Sequence, residues 1–342
     1  MKAAVFYGKH DLRIEEINKP VPGADEVLIK VMACGICGTD VHIFEGDEGA
    51  AATPAGTVLG HEFSGMVEAV GSRVRHIKPG DRVCVDPNKL CGACRFCRSG
   101  VGHFCEQMTG IGTTVNGGFA EYCAVPESQA LKIADSTTFD EAAMAEPVSC
   151  CLHGIELCHI EYSDNVVIIG CGMIGMLMTE LAKLSGAARI AVIEPDTEKR
   201  AMAIKLGAEL AIDPAVQKAD EVLAAHGFEN IDKVIECAGL VSTMEEAVRL
   251  AGKKATVMLF GLTAPGAVMQ LKPFEVFKKE LEIKASYINP YTEEKAIKLI
   301  DSRRIDVSSM IYGKLPLDRL PSLLADKAQR RLGKYIVNPN EN

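Results

Sequence analysis

Four cysteines, Cys91, Cys94, Cys97 and Cys105, fall within the fifteen residues CGACRFCRSGVGHFC of a chain that has 13 in all. Intervals of three, three and eight residues let one loop wrap a tetrahedral ion with four thiolates, a donor set that suits Zn2+. Four protein sulfurs leave no coordination position open, so an ion held here is expected to be structural. Arg95, Arg98 and His103 are interleaved, and cationic neighbours favour thiolates over thiols. Upstream, CGTDVH supplies Cys37, Thr39, Asp40 and His42, and GHEFSG supplies His61 and Glu62. One cysteine, one histidine and a carboxylate form a mixed set of the kind that leaves zinc a position for a reacting oxygen. Each of these residues also has a plain reading, since a lone cysteine commonly serves as a small buried hydrophobe and a lone histidine as a surface residue.

The second half offers a different chemistry. In NVVIIGCGMIGMLMTELAKLSGAARIAVIEPD, a β-branched run over Val166–Ile169 predicts a buried strand, followed by Gly170, Gly172 and Gly175 in G-x-G-x-x-G register. A helix then carries Ile174, Leu177, Leu181 and Leu184 on one face. A second strand over Arg189–Ile193 ends at the acidic Glu194, about 20 residues past the glycines, as a dinucleotide-binding turn requires. In that reading the turn, including Met173 and Ile174, faces a pyrophosphate at a helix N-terminus, and Glu194 accepts from adenosine ribose hydroxyls, which favours NAD over NADP. Lys199 and Arg200 would blunt the repulsion of a 2′-phosphate there, reach the ribose from the side, or stand as solvated helix residues.

Composition narrows the class. At 342 residues two domains are the default, and the net charge of −9 argues against nucleic acid or an anionic membrane as partner. The start, MKAAVFYGKHDLRIEEI, lacks a charged head followed by an apolar signal core, and no apolar run reaches the roughly 18 residues of a membrane helix. These features predict a cytoplasmic protein, where thiols stay reduced; together with the odd cysteine count they favour metal over disulfides in the cysteine loop.

The elements follow. Strands are predicted at 209–212, 232–236, 255–260 and 281–286, alternating with helices near 197–206, 216–226 and 243–251. Six strands in all complete a doubly wound parallel sheet. Residues 1–130 read instead as short strands punctuated by Gly and Pro, such as EVLIKVMACG and GDRVCV, typical of an all-β barrel-like unit. No internal repeat, low-complexity tract or free linker interrupts the chain.

GHEFSGMVEAVG, KPGDRV, the four-cysteine loop and GCGMIG, in this order, resemble the zinc-dependent medium-chain alcohol dehydrogenases, and within them the polyol (sorbitol-type) and threonine dehydrogenase branches. The resemblance implies a GroES-like catalytic domain at 1–147, a Rossmann NAD-binding domain at 148–287, and a C-terminal return to the catalytic domain at 288–342, with a helix at 293–302. It implies two zinc ions per chain, one structural and one catalytic. Cys37 and His61 would be the first two catalytic ligands, and Glu62 the third ligand or a residue just behind the ion. Glu146 of AEPVSCC would bind directly or through water, where classical alcohol dehydrogenases have a cysteine. Asp40 would orient His61, and Thr39, the cofactor ribose and His42 would carry the released proton to solvent.

The same resemblance implies oxidation of an alcohol to a ketone. Where sorbitol-type enzymes carry an Arg–Tyr pair, SYINPYTEE has Ile288 and Asn289, which points away from sorbitol itself. CGTDVHIFEGDEG is close to the threonine dehydrogenase pattern, with Phe44 and Gly46 replacing residues usual there. The leading expectation is a secondary alcohol within a polyol, polyol phosphate or sugar acid; L-threonine or butanediol follows, and a non-catalytic binding relative comes last, because every catalytic position is filled. A homo-oligomer, tetramer or dimer, is expected through an edge strand at 281–286.

Overall fold

The computed structural model describes residues 1–47, 52–330 and 333–341. The chain divides into two compact units, one formed by 1–149 together with 290–342 and the other by 150–289.

The first unit is built mainly from antiparallel strands, as the Gly/Pro-punctuated pattern predicts. Its larger sheet has seven strands, and Glu26–Gly35 is their hub. Along one edge that strand pairs with Glu62–Val70, bringing Gly35 opposite Glu62. Along its other edge, residues Glu26–Lys30 pair with Tyr122–Pro126, while Cys34 and Gly35 pair with Ile336 and Val337 of the C-terminal strand Lys334–Val337. The last residues of the chain thus complete a sheet begun by the first thirty-five. Val27, Ile29, Val31, Phe63, Phe119 and Leu324 are among the side chains that fill the core over this sheet. A two-stranded pair, Asn88–Lys89 with Thr109–Gly110, closes the base of the cysteine-rich loop.

The second unit is a six-stranded parallel sheet. Its order runs Leu210–Ile212, Arg189–Ile193, Asn165–Ile169, Lys233–Glu236, Thr256–Leu259, Glu282–Ala285. Val166–Ile169 is buried along its length because helices cover both faces, which is why it reads as an unbroken apolar run. The order reverses between Asn165–Ile169 and Lys233–Glu236, so the carboxyl ends of those two strands form the crevice where such sheets take ligands.

The strands lie within a residue of their expected ends. The helix expected over 216–226 is shorter, Ala219–Ala225, because residues 213–217 close a turn. There, the N–H of Gln217 donates to the Asp213 carbonyl at 2.9 Å, and the Gln217 side-chain oxygen accepts from the Asp213 N–H at 3.0 Å. The helix expected over 243–251 starts two residues earlier, at Val241.

Close packing at the head of the sheet is specific. A Cβ on Gly175 would stand 2.0 Å from the Gly170 carbonyl oxygen, a backbone atom that cannot turn aside. Gly175→Ala is therefore expected to destabilise the chain by about 1–3 kcal/mol and to weaken dinucleotide binding at least about tenfold, read by denaturant unfolding and by fluorescence titration.

Candidate active site and metal centres

Cys37 occupies the N-cap of the helix Gly38–Glu45, in extended backbone conformation. Its N–H donates to the Asp40 Oδ2 at 2.8 Å, so the helix start and the cysteine are fixed by one carboxylate. Asp40 is fully buried, and its Oδ1 stands 3.5 Å from His61 Nδ1. A carboxylate at this nitrogen fixes the tautomer that leaves Nε2 free as a donor to a metal. At that distance neither atom has a hydrogen-bond partner, so the orienting role of Asp40 stays an expectation.

His61 precedes the strand Glu62–Val70 and follows Gly60, where φ is +95° and a Cβ would lie 2.7 Å from the Phe119 backbone nitrogen, so no side chain fits. The sulfur of Cys37, a ring nitrogen of His61 and a carboxylate oxygen of Glu62 all lie within 4.8 Å of one another. Glu146 begins the helix Ala145–Cys158 and stands outside that group of three. Thr39 and His42 sit three residues apart on the helix that Cys37 caps. His42 is half-exposed, with Nδ1 3.1 Å from Asp47.

The charge balance of this cluster favours a cation. Asp40 and Glu62 are buried acids, with Cys37 beside them. Burial, the largest influence on His61, lowers its pKa, yet the charges of Asp40 and Cys37 outweigh it and leave the imidazole well above its usual value. The one buried ammonium here was not legible in the motifs. Lys334, buried on the C-terminal strand, forms a salt bridge with Glu62 Oε2 and donates to the Ile36 carbonyl at 2.9 Å. Glu62 Oε1 is buried without a hydrogen-bond partner. A carboxylate oxygen left bare beside a thiol and an imidazole fits a divalent ion of the zinc type.

The four-cysteine loop forms a second candidate centre. The sulfurs of Cys91, Cys94, Cys97 and Cys105 lie within 4.8 Å of one another, with Cys91 to Cys97 at 4.0 Å and Cys94 to Cys97 at 3.6 Å. Tetrahedral zinc with bonds of about 2.3 Å separates its sulfurs by about 3.8 Å, which these two spacings bracket. The N–H groups of Cys97 and Glu106 lead in lowering the Cys94 thiol to about 6, and the Cys91 N–H leads in lowering Cys105. Burial leads in raising Cys97 to about 12. None of the 13 cysteines forms a disulfide.

In the second unit, Gly170 has a φ of +87° and packs against Ala238, and Gly172 caps the helix Met173–Leu184 with open space where a side chain would stand. Met173 and Ile174 form its first turn, so backbone N–H groups face outward at a helix N-terminus. Glu194 is buried rather than solvated: Oε2 accepts from the Cys171 N–H at 2.7 Å, and Oε1 from the Asp196 N–H at 3.0 Å. It thereby ties the end of the second strand to the glycine turn.

Arg200 is not a free cation. It donates to the carbonyls of Glu194 and Pro195, both at 2.7 Å, and pairs with Asp213 at 3.1 Å. Lys199 is half-buried on the same helix, its N–H donating to Asp196. Glu236, which the motifs did not single out, is fully buried; its Oε1 accepts from the N–H groups of Ala238 and Gly239 and the Thr243 hydroxyl at 2.7–2.9 Å. That fixes the loop lying against Gly170.

Comparison with known proteins gives a consistent result. Residues 23–135 match the family model of the alcohol dehydrogenase GroES-like domain, and residues 174–302 that of the zinc-binding dehydrogenases. The D-arabitol-phosphate dehydrogenase of Enterococcus avium is 34% identical, covering 91% of this chain and 89% of its own. D-arabinitol dehydrogenase 1 of Uromyces fabae is 31% identical over 98% and 97%. A solved structure described as a zinc-binding dehydrogenase from Sinorhizobium meliloti 1021, bound to NADP, superimposes with a TM-score of 0.94 at 36% identity, covering 99% of both chains.

The space for the buried ion pair depends on one small residue. A Cβ on Gly35 would lie 2.2 Å from Glu62 Oε2 and 2.9 Å from Lys334 Cε. Gly35→Ala is expected to destabilise the protein by about 1–3 kcal/mol in denaturant unfolding. The loss should shrink when Glu62 is also truncated to alanine, a coupling that a double-mutant cycle measures directly.

Proposed function

Because the chain belongs to the zinc-type medium-chain alcohol dehydrogenase family, we propose that it oxidises a secondary alcohol of a polyol, polyol phosphate or sugar acid to the ketone, with NAD+ as acceptor. The grouping of Cys37, His61 and Glu62 around one point carries this reading, since it provides three donors and leaves room for a fourth. The relatives named for D-arabitol phosphate and D-arabinitol support the substrate class.

In this reading Cys37, His61 and Glu62 hold the catalytic zinc, with Glu146 in reserve as a direct or water-mediated donor. Cys91, Cys94, Cys97 and Cys105 hold a structural one. When bound, zinc makes the substrate hydroxyl more acidic, and the nicotinamide accepts the hydride from the carbinol carbon. The protein supplies the rest. Asp40 keeps His61 in the donor tautomer. Thr39 Oγ1 would accept the hydroxyl proton as it passes its own on through the cofactor ribose to His42, which is half-exposed and would release a proton to water.

NAD+ is the preferred cofactor because Glu194, Asp196 and Asp213 place carboxylates around the strand end where a 2′-phosphate would sit. Arg200 is engaged by three backbone or carboxylate oxygens of that corner, which withdraws it from a phosphate. The NADP-bound relative is the observation that favours the other cofactor.

A homo-oligomer is proposed through the second unit. Its edge strand Glu282–Ala285 pairs only with Thr256–Leu259 among the described residues. Leu262, Val268, Phe274 and Phe277, which precede it, are each more than two-thirds exposed. A second copy extending the sheet would cover apolar surface of this kind.

Three outcomes check the proposal. Turnover with NAD+ should be highest on a polyol or polyol phosphate in a panel that also holds aldonates, L-threonine and butanediol; threonine as the best substrate would move the chain to the other branch. Metal analysis should find two zinc ions, with Cys37→Ser losing activity and one ion while the fold survives. Cys97→Ser should lose stability, because structural zinc contributes folding free energy. Finally, Glu194→Ala should narrow the ratio of kcat/KM for NAD+ over NADP+ by at least about tenfold. Equal use of both cofactors by the unaltered enzyme would refute the assignment.

A further inference from the structure

We propose that Lys334 is a positioning residue for the catalytic ion. It holds Glu62 by one carboxylate oxygen, so that only the other is presented alongside Cys37 and His61, and its charge weakens the grip of these ligands on the metal. This inference rests on the reading that Cys37, His61 and Glu62 bind zinc.

The geometry is specific. The ammonium of Lys334 is bonded to Glu62 Oε2 and to the Ile36 carbonyl, and its side chain is 2% exposed. Glu62 Oε1, equally buried, has no hydrogen-bond partner, and a Glu62 carboxylate oxygen groups with Cys37 and His61. With Oε2 held by the lysine, Oε1 is the oxygen left for an ion. Gly35, directly opposite Glu62 in the sheet, leaves the space in which the pair meets.

Stability alone is a poor reason for this arrangement. Desolvating two charges offsets much of their attraction, and well-packed apolar residues in place of such a pair are often as stable. Around a metal the pair acquires a use. With Cys37 and Glu62 as donors, Asp40 behind them and Glu146 within electrostatic reach of the lysine, acidic groups crowd the place of a divalent ion, and one buried positive charge offsets part of that excess. The lysine and the ion compete for the same carboxylate. Glu62 is then a single-oxygen donor whose bond to the ion can lengthen, which suits a site that must exchange ligands. A structural strut would need the ion pair but would leave the metal indifferent to it.

Zinc affinity separates these roles. Full-length protein carrying its zinc is titrated with a chromophoric chelator for the unaltered sequence, Lys334→Met, Lys334→Gln and the double variant Glu62→Gln/Lys334→Met. Removing the charge and the tether in Lys334→Met should tighten the more labile zinc by at least about tenfold. Lys334→Gln, which keeps a donor to Glu62, should fall between. The double variant should lose the gain, because the carboxylate that profits from it is gone. In cobalt-substituted protein the visible absorption bands should shift in Lys334→Met.

Unchanged or weaker zinc binding in both single variants, with a lower melting temperature alone, would overturn the inference and leave a strut. If Lys334→Met does not fold, Lys334→Gln and the double variant read the same quantity. A single tightly held zinc in the unaltered protein, lost on Cys97→Ser, would instead refute the catalytic-zinc reading on which this rests.

Discussion

Anionic side chains can be buried together only if positive charge is brought to them, and the first unit is organised around that constraint. Cys37, Asp40, His61 and Glu62 come from a helix cap and a strand start that the sheet holds side by side. One lysine reaches them from the far end of the chain. The remaining imbalance makes the place receptive to a divalent cation, so charge and donor geometry argue for the same occupant. Gly35 and Gly60 are small because the elements around this cluster have no spare volume. In that sense the barrel-like sheet is a device for keeping several acids dry.

The second unit buries carboxylates by other means. Glu194 and Glu236 are held by backbone N–H groups rather than by lysines, two donors at Glu194 and two with a hydroxyl at Glu236. Amide dipoles hold a carboxylate without cancelling its charge, so a strand end can remain anionic and still be ordered. Both residues grip the glycine turn, Glu194 through Cys171 and Glu236 through the loop that packs on Gly170. The shape of the turn and the charge beside it are therefore fixed by the same bonds.

Much of this was legible in the sequence where the chemistry is local. The four cysteines, CGTDVH, GHE and the glycine turn each lie within a short stretch, and the strand–turn–helix–strand order needs only periodicity to be read. Lys334 was not legible, because the strand that carries it pairs with Gly35 by long-range sheet register and its flanking residues form no motif. Arg200 looked free to meet a phosphate; only its hydrogen bonds to the corner it sits on reveal otherwise. Glu194 read as a strand-end acid, and its burial follows from tertiary contacts with the turn. The onset of the helix at Ala219 shifted because a glutamine side chain closed a turn that periodicity does not register.

The C-terminal strand that completes the first sheet has a further consequence for how such a chain comes into being. Glu62 and Lys334 are separated by 272 residues. A ribosome adding roughly 5–20 residues per second takes on the order of fifteen to fifty seconds to travel between them. Throughout that interval the whole of the second unit emerges and can fold, while the nascent barrel has Glu62 without its lysine and a sheet edge without the strand Lys334–Val337. Until the lysine arrives, Glu62 is open to water, to a proton or to a metal ion from solution. The order of translation thus leaves this carboxylate exposed to a metal ion before its lysine exists.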